Sequence, residues 1–482
     1  MLSRNRTDKM KQHEIVCIDD LVPMDHVLRE IDEAIDFSFI YEEVKDLYCA
    51  DNGRPSVDPV VLFKIVLIQY IYGIRSMRQT IKEITVNMAY RWYLGYGMTE
   101  PVPHFTTFGK NYLRRFSETD IFEKIFIQIL SEAISLGFVD AKEGFFDATQ
   151  IKANANLHKC INETVKIEVK HYNDELQKEI EQDRRDHGKK PLKEPENNEE
   201  QQTKTIKKST VDPDCGLFRK GEHKMEFAYT THVACDKNGF VLGSDVSAGN
   251  VHDSVMFDGL YKEVTDRFPE MEMIAMDCGY RTPWIMKQVF DSNRLPCVPY
   301  RAPMTKKGFF KKHEYVYDEY YDCYLCPNDQ VLKYATTNRD GYREYRSDPC
   351  ICAECSMRKL CTESKNCQKT VTRHIWEKYT EWAEDIRHTP RGIEVYRRRK
   401  ETIERVFADA KVKHGLRYTQ YRGLQKLRMQ TLLTFACMNL KKLAKWKRKN
   451  VSTQPFFCSI CNFIYVSFKS LLFYEKPHLS HV

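Results

Sequence analysis

The chain has 482 residues, 42% hydrophobic and 30% charged, which suits a soluble protein of roughly two to four domains with real cores. The formal net charge is +7, and the cations gather near residues 397–449, which points to a polyanionic partner. The opening "MLSRNRTDKMKQHEIVCIDD" lacks an apolar segment, so no secretory signal is expected. The 17 cysteines then suit buried thiols or metal ligands in a reducing cytoplasm.

Residues 1–140 read as helical. In "SVDPVVLFKIVLIQYIYGI", Asp58 is placed to N-cap a helix and Pro59 to open it. Apolar residues cover most of that helix, so it is expected to be buried. Ser76 and Gln79 have capping-box spacing in "SMRQTIKEITVNMAYRWYLGY". "HFTTFGKNYLRRF" completes three short helices, with Lys110, Arg114 and Arg115 expected on the surface. The group fits a helix-turn-helix-like DNA-binding domain; a plain helical bundle fits the local pattern as well.

The period changes at residue 144. "GFFDATQIKANA" alternates and is rich in strand formers. Residues 158–210 are charged and aperiodic, and read as a helix followed by a linker. "EFAYTTHVACDKNGFVLGSDVSAG" is a hairpin turning at "DKNG". Then come a helix in "NVHDSVMFDGLYKEV", a short strand in "MEMIAMDCGY", a helix in "PWIMKQVFDSN" and a strand in "LPCVPYR". A cysteine-rich interruption occupies 303–385, and 397–445 reads as one basic helix. The aromatic stretch 456–474 imitates a membrane span but contains Lys469, so a C-terminal extension over 448–482 is expected and no membrane contact.

Three acids stand out. Asp147 lies inside an apolar strand, where a carboxylate is costly without a cation or hydrogen bonds. Asp277 ends a strand, where α/β sheets bind ligands. Glu404 borders the apolar Ile403, Val406 and Phe407 of its helix. Each has an ordinary alternative: an edge-strand Asp, a turn Asp, and a Glu paired with Arg399 or Arg405. Together, two strand-borne aspartates and a helix-borne glutamate suit a pair of Mg²⁺ ions, or Mn²⁺, acting on a phosphodiester. His252 and Asp253 in "NVHD" are candidates for shaping that site, with helix capping by Asp253 the other reading.

The motifs around these acids resemble the DDE transposases of bacterial insertion sequences, in the IS4/IS5-like group and most closely the IS1182-type family. "DPVVLFKIVLIQYIYGIRSMRQTIKEITVNMAYRWYLG" resembles the family's N-terminal domain, "FFDATQIKANAN" its first-Asp motif and "AMDCGY" its second. "IERVFADAKVKHGLRYTQYRGLQKLRMQTLLTFACMNLKKL" resembles its Glu motif, with Lys411 seven positions after the acid and the Arg422–Gly423 pair beyond. The resemblance spans about residues 20–447. It implies an α/β, RNase H-like catalytic domain with a mixed sheet and flanking helices, built from 141–302 and 386–447. An N-terminal helical DNA-binding domain and a Cys-rich insertion would accompany it. Asp147, Asp277 and Glu404 would be catalytic and hold the metal. Tyr396, Arg399 and Lys400 precede the Glu, and which of Arg399 and Lys400 touches DNA stays open.

The implied reaction is cleavage of both transposon ends and transfer of the 3′-hydroxyls to target DNA, with a homodimer holding the ends together. The alternative is a decayed or repurposed copy that binds DNA as a regulator. Arg399, Lys400, Lys411, Arg417 and Arg422 are the expected phosphate contacts. Tyr418, Tyr421 and Trp446 either stack on bases or pack. Seven cysteines fall between 323 and 367, and "CYLC" with "CAEC" approaches zinc-ribbon spacing. A structural zinc on Cys323, Cys326, Cys352 and Cys355, with Cys350 or Cys361 as substitutes, is weighed there against buried thiols.

Overall fold

The structure, a computed structural model, describes residues 13, 15–49, 55–166, 173–192, 203–221 and 224–453. The chain divides into two compact units. The first comprises residues 1–140, 406–417 and 428 onwards, and the second 141–405 with 418–427.

The first unit opens with seven helices: α1 (Val27–Ala34), α2 (Phe39–Val44), α3 (Pro59–Ile71), α4 (Met77–Val86), α5 (Met88–Leu94), α6 (Thr106–Asn111) and α7 (Ile121–Ser135). Asp58 caps α3 by accepting from the amides of Val60 and Val61, and Pro59 opens the helix, where its missing N–H costs nothing. Leu62, Phe63, Ile65, Val66, Leu67 and Ile68 are all buried, as an all-round apolar helix demands. Ser76 caps α4 through the Gln79 amide. Arg115, expected on the surface, is half-buried instead. Its guanidinium stacks over Tyr48 at 4.5 Å and donates to the Leu47 carbonyl. The reason is local: a π-helical turn over Tyr112–Phe116 follows α6 and shifts the helical phase.

The second unit holds the main sheet. Its strands are β1 (Glu143–Lys152), β4 (Gly216–Lys220), β5 (Lys224–Asp236), β6 (Val241–Ala248), β7 (Met273–Met276) and β8 (Leu295–Cys297). The path runs β4-β5-β1-β7-β8, with β6 also on β5. β5 pairs antiparallel with β1, β4 and β6, while β7 is parallel to β1 and β8 parallel to β7. This mixed α/β sheet is consistent with the RNase H-like domain of a DDE transposase. The β5–β6 hairpin turns at "DKNG": the Asp236 carboxylate accepts from the Phe240 amide at 2.7 Å, and Gly239 takes a left-handed φ of 73°. Helix α9 (Asp253–Arg267) packs on β5 and β6, and α10 (Pro283–Asp291) links β7 to β8.

Within 158–210 the described residues hold two strands besides the expected helix, and residues 193–202, where the linker is expected, lie outside the described residues. β2 (Cys160–Lys166) and β3 (Thr203–Ser209) form an antiparallel ladder, and α8 (Asn173–Asp186) lies between them in the chain. Asp183 of α8 is buried and ion-paired to Arg343 at 2.5 Å. Leu176 and Ile180 form a cluster with Trp376. Only three residues of this charged helix are buried, so periodicity carried little signal. A second sheet covers much of 303–385, with β9 (Val316–Asp318), β10 (Cys323–Leu325), β11 (Val331–Thr337), β12 (Tyr342–Arg346) and β13 (Thr370–His374) in antiparallel order. The short helices α11 (Pro349–Ala353) and α12 (Arg358–Cys361) lie between β12 and β13.

The basic stretch 397–445 is three helices, not one. α13 (Glu377–His388) and α14 (Pro390–Arg398) pack over β8 and β7, and α14 ends before a turn that leads to α15 (Ile403–Lys413). After α15 the chain leaves helical geometry until α16 (Leu424–Thr453). Gly415 and Gly423 bracket that break with left-handed φ values of 71° and 91°. From residue 454 the aromatic extension lies outside the described residues. Among the described residues no helix is long and apolar enough to cross a membrane.

Candidate active site

Strand alternation sets the first acid. Phe146 faces α9, with its ring 5.7 Å from Phe257 and 6.2 Å from Tyr261. Asp147, one residue on, therefore points to the opposite face of the sheet. The parallel register pairs Phe146 with Met276, so Asp147 and Asp277 are the next residues along adjacent strands. One acid is inside β1 and the other directly follows β7, and the sheet brings them side by side.

Their surroundings differ. Burial pushes Asp147 up to about 6, against the pull of Arg399 and the Ala148 amide, and the Asp277 charge adds to the rise. Burial raises Asp277 too. There the Cys278 thiol, the Arg399 charge and the amides of Cys278 and Gly279 outweigh it, and Asp277 sits below the ordinary carboxylate value. The two neighbouring acids are thus shifted in opposite directions, one by burial and the other by its hydrogen bonds and the Arg399 charge.

Arg399 is the nearest cation. Its Nη2 donates to Asp147 Oδ2 at 2.6 Å, and its Nη1 to the Tyr396 hydroxyl at 3.3 Å. The Arg399 side chain is 8% exposed and that of Asp147 16%, so water does little to screen the pair. Arg399 Nε is buried without a hydrogen-bond partner. Lys400, the next residue, is exposed. Glu404 is exposed in the first turn of α15, and its amide donates to the Arg399 carbonyl at 3.1 Å. The third acid thus follows the turn whose arginine holds the first.

Two further groups join the acids. His252 caps α9 by accepting from the Ser254 amide, which leaves Asp253 as the first helical residue rather than the cap. The Asp253 carboxylate lies against the Cys278–Tyr280 turn: a Cβ on Gly279 would meet its Oδ2 at 3.9 Å. Burial raises Asp253, and the Asp277 charge adds to it. Tyr280 is buried, and after burial itself the charges of Asp253, Asp147 and Asp277 push its hydroxyl up. Tyr280 was legible only as the Tyr of a Gly-Tyr pair; nothing in the sequence set it among three carboxylates. His232 is buried beside them, with Nε2 at 2.9 Å from the Ser247 hydroxyl and Nδ1 at 3.9 Å from Asp253 Oδ1.

The basic residues separate. Arg422 is exposed in the second unit and donates to the Asn154 carbonyl at 3.3 Å, while Tyr418 donates to the Asn154 side chain at 3.1 Å. Lys411 and Arg417 belong to the first unit, Lys411 half-buried and Arg417 exposed. Trp446 packs edge-on to Phe138 with centroids 5.6 Å apart. In the first unit, His104, Thr106, Thr107, Lys110, Asn111, Arg114 and Arg115 line a polar cleft of about 390 Å³.

The cysteines also separate. Cys326, Cys352, Cys355 and Cys361 line one small cavity of about 30 Å³. Cys323 lines a different one, with His187 and Asp322. Three residues along a strand reverse the facing, so Cys323 points away from the Tyr324 and Cys326 side. Among the described residues, no group of three or more His, Cys, Asp or Glu side chains stands close enough to hold a metal ion. That covers the three acids and the thiols alike. Oxygen donors on adjacent strands nonetheless suit a hard divalent ion, and Asp147 and Asp277 already share a counter-charge in Arg399.

Residues 16–114 match the family described as Transposase domain (DUF772), and residues 325–444 match the family described as Transposase DDE domain. No curated protein matches the chain.

Proposed function

We propose that this chain, which belongs to the DDE transposases of insertion sequences, binds the terminal repeats of an IS1182-type element, cuts the DNA there and joins the 3′-ends to target DNA. The observation that carries the reading is the juxtaposition of Asp147 and Asp277 on adjacent parallel strands, with Glu404 after the turn that carries Arg399. Mg²⁺ or Mn²⁺ bound by these three acids would supply Lewis-acid activation of the attacking oxygen and stabilisation of the leaving one.

The chain's own residues position and neutralise. Asp147 and Asp277 lie where a scissile phosphate would meet the sheet. Asp253 and Tyr280 border them. Lys400 and Arg422, both exposed, are the phosphate contacts of the second unit, and Lys411 and Arg417 those of the first. Lys110 and Arg114 in the first unit's cleft suit the backbone of an end sequence. Water cleaves a phosphodiester at each end and frees a 3′-hydroxyl. That hydroxyl then attacks target phosphorus directly, and the displaced 3′-oxygen of the target leaves. A homodimer holds the two ends. For zinc, the cavity favours Cys326, Cys352, Cys355 and Cys361 as the ligand set.

Asp147→Asn, Asp277→Asn and Glu404→Gln should each abolish Mg²⁺-dependent cleavage of end-bearing DNA while leaving end binding intact. A variant that still cuts removes that residue from the triad. A wild-type protein that binds ends and never cuts them would be a DNA-binding regulator instead.

A further inference from the structure

We propose that Arg399 is the resident counter-ion of the carboxylate pair: its guanidinium holds Asp147 while no divalent ion is bound, and gives up that oxygen when one binds. The inference rests on the reading of Asp147 and Asp277 as metal-holding acids.

Position is the first support. Nη2 of Arg399 lies 2.6 Å from Asp147 Oδ2, on an oxygen that a divalent ion would need. The guanidinium also lies within electrostatic reach of Asp277, while its hydrogen bond is to Asp147 alone of the two. Burial is the second. Arg399 is 6% exposed, and two half-buried carboxylates repel each other unless a cation sits nearby. A metal ion and a guanidinium answer the same need, so they compete for one seat.

The third support is how loosely Arg399 is seated. A guanidinium can grip a carboxylate with two parallel N–H donors. Here one Nη reaches Asp147, the other has the Tyr396 hydroxyl at 3.3 Å, and Nε has no partner although it is buried. A buried donor left unsatisfied is unfavourable, so the seat is held by charge and not by complementary hydrogen bonds. The fourth is connectivity. Arg399 follows α14 and its carbonyl accepts the Glu404 amide, so the residue sits at the hinge between that helix and the Glu-bearing α15.

The test is Mn²⁺ binding by the full-length protein without DNA, followed by electron paramagnetic resonance. Asp147→Asn should weaken binding at least about tenfold. Arg399→Gln removes the competitor and should tighten binding about tenfold. Tyr396→Phe removes only one support of the guanidinium and should tighten binding about two- to threefold; it carries the test if Arg399→Gln does not fold. A residue that merely braces the fold would not improve metal affinity when removed. Mn²⁺ affinity unchanged or weaker in Arg399→Gln and Tyr396→Phe, with Asp147→Asn weakened, overturns the inference and leaves the site reading standing. Asp147→Asn binding as tightly as the wild type overturns both.

Discussion

At the scale of single residues, burial outweighs pairing more than once. Asp147 has an arginine at 2.6 Å and is still raised to about 6. His414 shows the same ordering in the first unit. It is buried, its Nδ1 lies 2.8 Å from the Tyr70 carbonyl, and burial pushes its ring down to about 4. The folded protein therefore binds fewer protons at this residue than the unfolded chain between about pH 4 and the ordinary histidine value. Its stabilising contribution is full above that window and is lost as pH falls through it. His232, also pushed down to about 4 by burial, acts in the same direction. His414→Gln should cost about 1 kcal/mol at pH 8 and flatten part of the acid-side decline, read by urea unfolding at several pH values. A decline identical to the wild type would remove His414 from that account. The acids themselves were legible as residue types in context. Asp253 was legible as a candidate for shaping the site; Tyr280 was not legible as their neighbour, because its place depends on which strands lie side by side.

At the scale of elements, the period of two in a strand decided most of what spacing left open. It sends Phe146 to α9 and Asp147 to the opposite face. It also turns Cys323 away from Cys326, and the four-thiol set proposed for zinc therefore takes Cys361 in its place. Purified protein should carry close to one zinc per chain. Cys361→Ser should lose it and Cys323→Ser should keep it, by elemental analysis; metal well below one equivalent in the wild type would count the cavity as plain thiols. Zinc would also have to draw the four sulfurs together, since they do not stand at ligand spacing without it. Helix ends were harder to read. The second break in the basic run 397–445 is bracketed by Gly415 and Gly423 in left-handed backbone, and the Gly423 amide donates to the Asp212 carboxylate at 3.1 Å, a partner 211 residues away. The β2–β3 ladder escaped notice for a similar reason: each strand is polar, and only pairing with the other defines it.

At the scale of the whole molecule, a net charge of +7 over 482 residues is small, so the proposed DNA affinity would come from where the cations lie. Lys110→Ala and Arg114→Ala should weaken binding to all DNA sequences alike and lower the slope of log K against log salt by about one each, measured by fluorescence anisotropy over a salt series. A loss confined to one end sequence would make them base-reading residues instead.

By itself the sequence determined the alternation that marks β1, the "DKNG" hairpin, the Asp58–Pro59 helix start and the three acids in chain order. These are local, set by backbone preference and side-chain period. Only the tertiary structure decided that Asp147 and Asp277 are neighbours, that Arg399 rather than Lys400 is buried on them, and that residues 406–417 group with the first 140. Those outcomes depend on strand register and on which charges lose their water. Both are fixed by contacts between segments more than a hundred residues apart, which no local pattern encodes.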